Sequence, residues 1–126
     1  SVVDQIVGRA TAVDGVRLVA SLQDADADAL RELAQKAVGK LDGDPGAAVV
    51  LGTGRGGKAL IVAACSPRLV ERGVTAPLLL EDAAEQIGGG AGGKPILGFA
   101  GGPKADAVEE AVQGIPARLA ELLRDH

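Results

Sequence analysis

Gly88-Gly89-Gly90-Ala91-Gly92-Gly93-Lys94-Pro95-Ile96-Leu97-Gly98-Phe99-Ala100-Gly101-Gly102 is the stretch on which the reading of this chain turns. Eight of its fifteen residues are glycine, which points to backbone conformations that other residues avoid. Ile96, Leu97 and Phe99 set it apart from a merely flexible linker. Consecutive N–H groups in a glycine turn can converge on one concavity and bind an anion. Lys94 adds a point charge, and Pro103 can open a helix whose free N–H groups face the same way. The expectation is a glycine-rich loop between two helices, with a site at Gly90, Gly92, Gly93 and Lys94 and with Lys104 beside it. A packing loop without a ligand is the alternative.

The flanks supply the two helices. Upstream, Thr75 can cap a helix whose apolar stripe is Ala76, Leu79, Leu80, Ala83, Ala84 and Ile87. Downstream, Val108, Ala111 and Val112 face inward before Gly114 and Pro116 break or kink the helix, and a last helix carries Leu119, Leu122 and Leu123. Further out, Ser66-Pro67 reads as a cap and first helical position, with one or two turns over 67–72. Ala47 to Leu51 and Ala59 to Ala63 read as a hairpin with a glycine-rich tip from Gly52 to Lys58.

Toward the N-terminus, Asp24, Asp26 and Asp28 precede Leu30, Leu33, Ala34, Ala37, Val38 and Leu41 at helical spacing. Val16 to Leu22 reads as a strand, and residues 2–10 as a helix end weakened by Gly8 and stopped by Asp14-Gly15. The order is α-β-α-β-β-α-α-α. It describes an α+β, or mixed α/β, domain in which a small sheet with a β-hairpin packs against several helices. Residues 1–12 are expected to be the remnant of an upstream connecting or oligomerisation helix, and 13–126 a globular domain.

Composition narrows the chemistry. The 126 residues are 47% apolar, yet Phe99 is the only aromatic, so the core must be aliphatic and no aromatic base-stacking platform can form. The formal charge of −4 provides no global attraction for a polyanion, and any such site must be local. Cys65 and His126 stand alone in their kinds, which excludes an internal disulfide and a protein-only Cys/His zinc site. The single thiol is compatible with the cytoplasm. No apolar run is long enough to span a bilayer.

Gly52 to Lys58 has the G-x-x-x-x-G-K spacing of a phosphate-binding loop. However, Ala59 stands where Ser or Thr should hold Mg²⁺, and the next residues read as a strand rather than a helix. A hairpin tip carrying two cations, Arg55 and Lys58, is the better reading. The carboxylates Glu81, Asp82 and Glu85 read as a solvated helix face, and Cys65 as a small core residue with no histidine partner. No self-contained catalytic set is present.

The segment Leu80 to Val112 resembles the C-terminal module of alanyl-tRNA synthetases, the DHH-associated domain, which also occurs in DHH-family phosphoesterases. That family carries a helix, a polyglycine run, Arg-Pro-Asp, Ala-Gln-Ala-Gly-Gly and a further helix. Here Lys94-Pro95-Ile96 stands for the first motif and Gly98-Phe99-Ala100-Gly101-Gly102 for the second. Lysine in place of arginine loses a planar fork for phosphate, and Ile96 and Phe99 remove an acid and an amide.

The resemblance implies a tRNA-binding module docking the outer corner of alanine tRNA, where the D and T loops meet, and so coupling aminoacylation to editing. On that reading Arg55, Lys58, Gly90, Gly92, Gly93, Lys94 and Lys104 are the RNA contacts, and none is catalytic. The fragment itself holds no cofactor. ATP and any zinc belong to other domains of the full-length ligase, and the rest of the synthetase chain is a partner. Two other readings stand beside it. One is the substrate-binding half of a phosphoesterase whose metal ligands lie elsewhere. The other is an assembly domain with a homodimer seam at Val3, Ile6 and Val7.

Overall fold

The computed structural model describes residues 1–125; His126 lies outside them. The helices are α1 (Val2–Val7), α2 (Ala27–Lys40), α3 (Pro67–Glu71), α4 (Ala76–Gln86), α5 (Val108–Gln113) and α6 (Ile115–Asp125). The strands are β1 (Thr11–Val13), β2 (Val16–Leu22), β3 (Ala47–Thr53), β4 (Ala59–Cys65), β5 (Gly90–Lys94) and β6 (Leu97–Gly102). They form one sheet in the order β1-β2-β3-β4-β6-β5. Only β2 and β3 run parallel; the other pairs are antiparallel. The mixed α+β class holds.

The aliphatic runs explain the layering. Every residue of β3 is buried, as a central strand covered on both faces must be. Its Ala48 and Val50 join Ile61, Leu79, Leu80 and Leu119 on one side, where α3 to α6 lie. Its Val49 and Leu51 join Val19, Val62, Leu30 and Ala34 on the other, under α1 and α2. Parallel pairing of β2 with β3 needs a crossover, and α2 supplies it. The Asp26 carboxylate caps that helix by accepting from the Ala29 N–H at 2.9 Å.

At the N-terminus the helix ends at Val7, and Asp14-Gly15 turns a hairpin rather than stopping the helix. Both residues have positive φ, 48° and 85°, the geometry of a tight type I′ connection between β1 and β2. Ile6 of α1 is fully buried, and Lys40 Nζ of α2 meets Asp4 Oδ1 at 2.7 Å. That contact holds the Asp4 carboxyl below the usual range, first through its hydrogen bond.

The main departure from the sequence reading lies at residues 88–102. The expected loop is a β-hairpin, β5 and β6, that adds two strands to the edge of the sheet. Leu97 and Phe99 alternate with Gly98 and Ala100, but most positions in this stretch lack the side chains that make such alternation visible. Its turn is pinned at both sides. The Pro95 carbonyl accepts from the Ala76 N–H at 2.8 Å, and the Ile96 carbonyl accepts from the Cys65 N–H at 3.0 Å. Pro103 does not open a helix; a 3-10 turn at Ala105–Ala107 intervenes, and α5 starts at Val108.

Helix α4 lies tight beneath the hairpin. A Cβ at Gly98 would sit 3.0 Å from atoms of Ala76 and Pro77. One at Gly102 would run into the Ile87 carbonyl, and one at Gly89 into the Gly101 carbonyl. These glycines are required by packing.

Candidate functional site

The hairpin has a second face. Helix α2 packs on β3 and β4, whereas β5 is exposed along its whole length. Strand alternation and the cross-strand register place Gly90, Gly92 and Lys94 of β5 beside Gly101, Phe99 and Leu97 of β6 on the side away from α4. Leu60 of β4 continues this face, and Lys58 stands at its margin, one residue before β4. Leu60, Leu97 and Phe99 are half-buried against the α2-side core. A Cβ at Gly90 or Gly92 would meet no protein atom within 4 Å, so internal packing does not demand glycine there.

Charge is arranged unevenly. Residues 54–70 and 86–105, which hold β4, β5, β6 and their turns, contain five cations and no carboxylate. A chain of net charge −4 therefore carries −9 in the remainder. Lys36 pairs with Glu32 and Lys40 with Asp4. Lys58, Lys94 and Lys104 have no carboxylate within 4.0 Å among the described residues. Arg68 is held by Asp44 at 2.7 Å. Arg55 leans toward Asp24, with Nε to Oδ1 at 3.8 Å, while its own N–H donates to Thr53 Oγ1 at 3.1 Å.

The expected site residues thus fall into two groups. Lys58 and Lys104 adjoin the end where Ala59 pairs with Gly102, and Arg55 lies on the neighbouring 3-10 turn, Arg55–Gly57. Gly93 and Lys94 sit at the other end, where Lys94 pairs with Leu97 and Leu97 with Ala64. From residue 58 to residue 64 the strands advance about 20 Å. Gly90 and Gly92 lie between the groups.

The anion concavity expected of the glycine run is not formed. A nest needs alternating turn conformations that aim successive N–H groups at one point. In β5 they alternate within the plane of the sheet, and of Gly90, Gly92 and Gly93 only Gly93, at φ 112°, has positive φ. Leu60, Phe99 and Gly101 share this face and lie outside the site that the sequence predicts. Their signal was the apolar content of the glycine stretch, which identified a packed segment without revealing which residues share a face.

Elsewhere the polar groups serve the fold. Arg118 of α6, 15% exposed, donates to the Leu78 carbonyl at 3.1 and 3.2 Å and meets Glu81 at 3.2 Å, which ties α6 to α4. The Cys65 thiol is buried, and desolvation pushes its pKa up from 9.0 to about 12, so it is a poor nucleophile at neutral pH. Among the described residues no group of three or more His, Cys, Asp or Glu side chains could hold a metal ion, and no helix is long and apolar enough to cross a membrane.

The DHHA1 domain family model matches residues 15–121. The chain belongs to the DHHA1 domain family. Within that family it is similar to a segment of the alanine–tRNA ligase of Natranaerobius thermophilus, at 39% identity over 114 residues, covering 90% of this chain and 13% of that protein. The chloroplastic/mitochondrial alanine–tRNA ligase of Sorghum bicolor is 39% identical over 118 residues, again 90% of this chain and 12% of the relative. This DHHA1 domain therefore spans about one-eighth of the curated relatives it matches. The C-Ala domain of Aquifex aeolicus alanyl-tRNA synthetase superposes with a TM-score of 0.75 at 22% identity, covering 88% of this chain and 97% of that one. A DHH-domain protein described as a member of the s1p family of ribosomal proteins gives 0.66 at 12% identity, covering 95% and 30%. Both share the fold.

Proposed function

We propose that this chain is the C-terminal tRNA-docking domain of an alanine–tRNA ligase, and that the open face of β4, β6 and β5 is where the folded corner of the tRNA rests. One observation carries the reading: in an acidic chain, residues 54–70 and 86–105 hold no carboxylate, and Lys58 and Lys94, which share this face, have no carboxylate within 4.0 Å among the described residues. A phosphate backbone gains from such cations by releasing condensed counterions. The similarity to alanine–tRNA ligases supplies the RNA. No catalytic role is assigned to the domain; ATP and alanine would be handled by the remaining seven-eighths of such a ligase.

The test is a titration of the chain with alanine tRNA transcript at two salt concentrations, beside an RNA hairpin that lacks the corner. Salt-dependent binding that requires the corner is expected. Replacing Arg55, Lys58 and Lys94 together by glutamine should weaken it by about 30-fold, taking roughly 0.5–1 kcal/mol per exposed contact. An unchanged affinity in that triple variant would remove the reading.

A further inference from the structure

We infer that the free edge of β5 accepts an extended acidic segment of a partner protein as an added strand of the sheet. This edge lies in the plane of the sheet, apart from the open face to which the RNA reading belongs, and neither occupant requires the other. β5 is the last strand in the sheet order, and all five of its residues are exposed. The direction of its backbone groups follows from the register. The Cys65 N–H donates to the Ile96 carbonyl at 3.0 Å, which makes Ala64 and Leu97 a non-hydrogen-bonded pair. Leu97, Phe99 and Gly101 therefore turn their N–H and C=O groups toward β5, where they meet Lys94, Gly92 and Gly90. The alternate residues, Ala91 and Gly93, present theirs outward, and no backbone hydrogen bond outside the ladder engages either one among the described residues. Edge groups of this kind are a template for another strand. At the opposite edge β1 is only three residues long, and with Val13 and Val16 paired across the tight turn only Ala12 points outward.

Side chains do not block the approach. From Gly90 to Gly93 the strand carries nothing larger than the methyl group of Ala91. Gly90 and Gly92 have open space around them, which leaves room for bulky side chains on an added strand, the pairing by which large residues compensate for edge glycines. Charge fixes the class of partner. Lys94 closes one end of β5, and Lys104 stands by the other, its Cε 3.4 Å from where a Cβ on Gly88 would be. Neither lysine has a carboxylate within 4.0 Å among the described residues. About 17 Å of strand separates the two ends, which suits an extended segment with carboxylates toward both of its own ends. A second copy of this chain fits poorly. β5 paired with β5 in parallel sets Lys94 beside Lys94, and in antiparallel it sets Lys94 beside Lys104.

Titration of the chain with capped, labelled peptides of about eight residues, read by fluorescence anisotropy without RNA, tests the edge. One peptide alternates valine and glutamate. A second has lysine in place of glutamate, and a third keeps the acidic sequence with its amides N-methylated. The acidic peptide is expected to bind, and the lysine and N-methyl peptides to bind about tenfold more weakly or worse. Ala91→Pro should weaken the acidic peptide about tenfold as well, since it removes an outward N–H that the ladder to β6 does not use. Amide exchange followed by NMR should slow at Ala91 and Gly93 when the acidic peptide is bound. No binding of the acidic peptide, or equal binding of its N-methyl form, would overturn the added strand. So would self-association of the chain that Ala91→Pro abolishes, which would give the edge to a second copy. If Ala91→Pro loses the hairpin, the peptide series on the unmodified chain decides alone. No RNA enters the measurement, so its failure leaves the tRNA reading untouched.

Discussion

The two faces of the β5–β6 hairpin are made from the same few residue types and obey different rules. On the α4 side, Gly98 and Gly102 are glycine because a helix lies against them, and Gly89 because a neighbouring strand's carbonyl does. On the opposite side, Gly90 and Gly92 face open space. Glycine in a strand costs conformational entropy and forgoes a packing side chain. Where packing explains it, the cost is offset inside the molecule. At Gly90 and Gly92 nothing inside the described fold offsets it, and the explanation moves to whatever rests on the outside. Glycine content therefore says little until each Cβ direction is known.

The largest expected effect lies on the packed face. Gly102→Ala places a methyl group against the Ile87 carbonyl, at the joint where the Lys104 N–H donates to that same oxygen at 3.2 Å. Its unfolding free energy in urea should fall by roughly 2–3 kcal/mol, the range for overpacking a tight site. A value near zero would show that the hairpin and α4 are loosely joined.

Gly92→Val tests the other face. Stability should stay within about 0.5 kcal/mol or rise slightly, since valine suits a strand and meets nothing there. Affinity for alanine tRNA should fall about tenfold, because the side chain lifts the RNA from the sheet. Equal tRNA affinity with unchanged stability would show that the open face is idle.

A smaller effect is expected from Asp24→Asn. It removes the exposed carboxylate 3.8 Å from Arg55 and frees the guanidinium at the hairpin tip. Binding should tighten about twofold, on the scale of a surface ion pair. No change would place Arg55 outside the contact surface.

Cys65 sharpens the comparison through pH. It lies on the α4 side, and its backbone N–H holds the hairpin turn through the Ile96 carbonyl. Burial raises its pKa from 9.0 to about 12, so the folded state favours the protonated thiol. The stabilising contribution is complete below about pH 9 and is lost as pH rises toward 12, because the unfolded chain ionises first. A thiol reagent should react slowly with native protein at neutral pH and quickly with the unfolded chain. Fast native reaction would mean that the turn opens readily.

Much of the fold was legible in the sequence because aliphatic periodicity and caps agreed. The α2 stripe from Leu30 to Leu41, the Thr75 cap of α4 and the strands around Val50 and Ile61 all sit where the pattern puts them. The cap is direct: Thr75 Oγ1 accepts from the Leu78 N–H at 3.3 Å. Two hairpins escaped. Asp14-Gly15 reads as a helix stop, yet the same dipeptide favours a tight strand turn, and β1 is only three residues long. The second hairpin was hidden by its glycines, which leave strand periodicity without side chains to display it. The candidate cations were legible as residue types, but their division between two ends of one face depends on the β4–β6–β5 register, a long-range property that local pattern does not encode.

Hydrogen–deuterium exchange of the chain with and without alanine tRNA tests the central claim most directly. The account predicts protection confined to residues 58–62 and 90–104, and no change over α5 and α6. Protection centred on α5 and α6, with residues 90–102 exchanging as in the free chain, would contradict it.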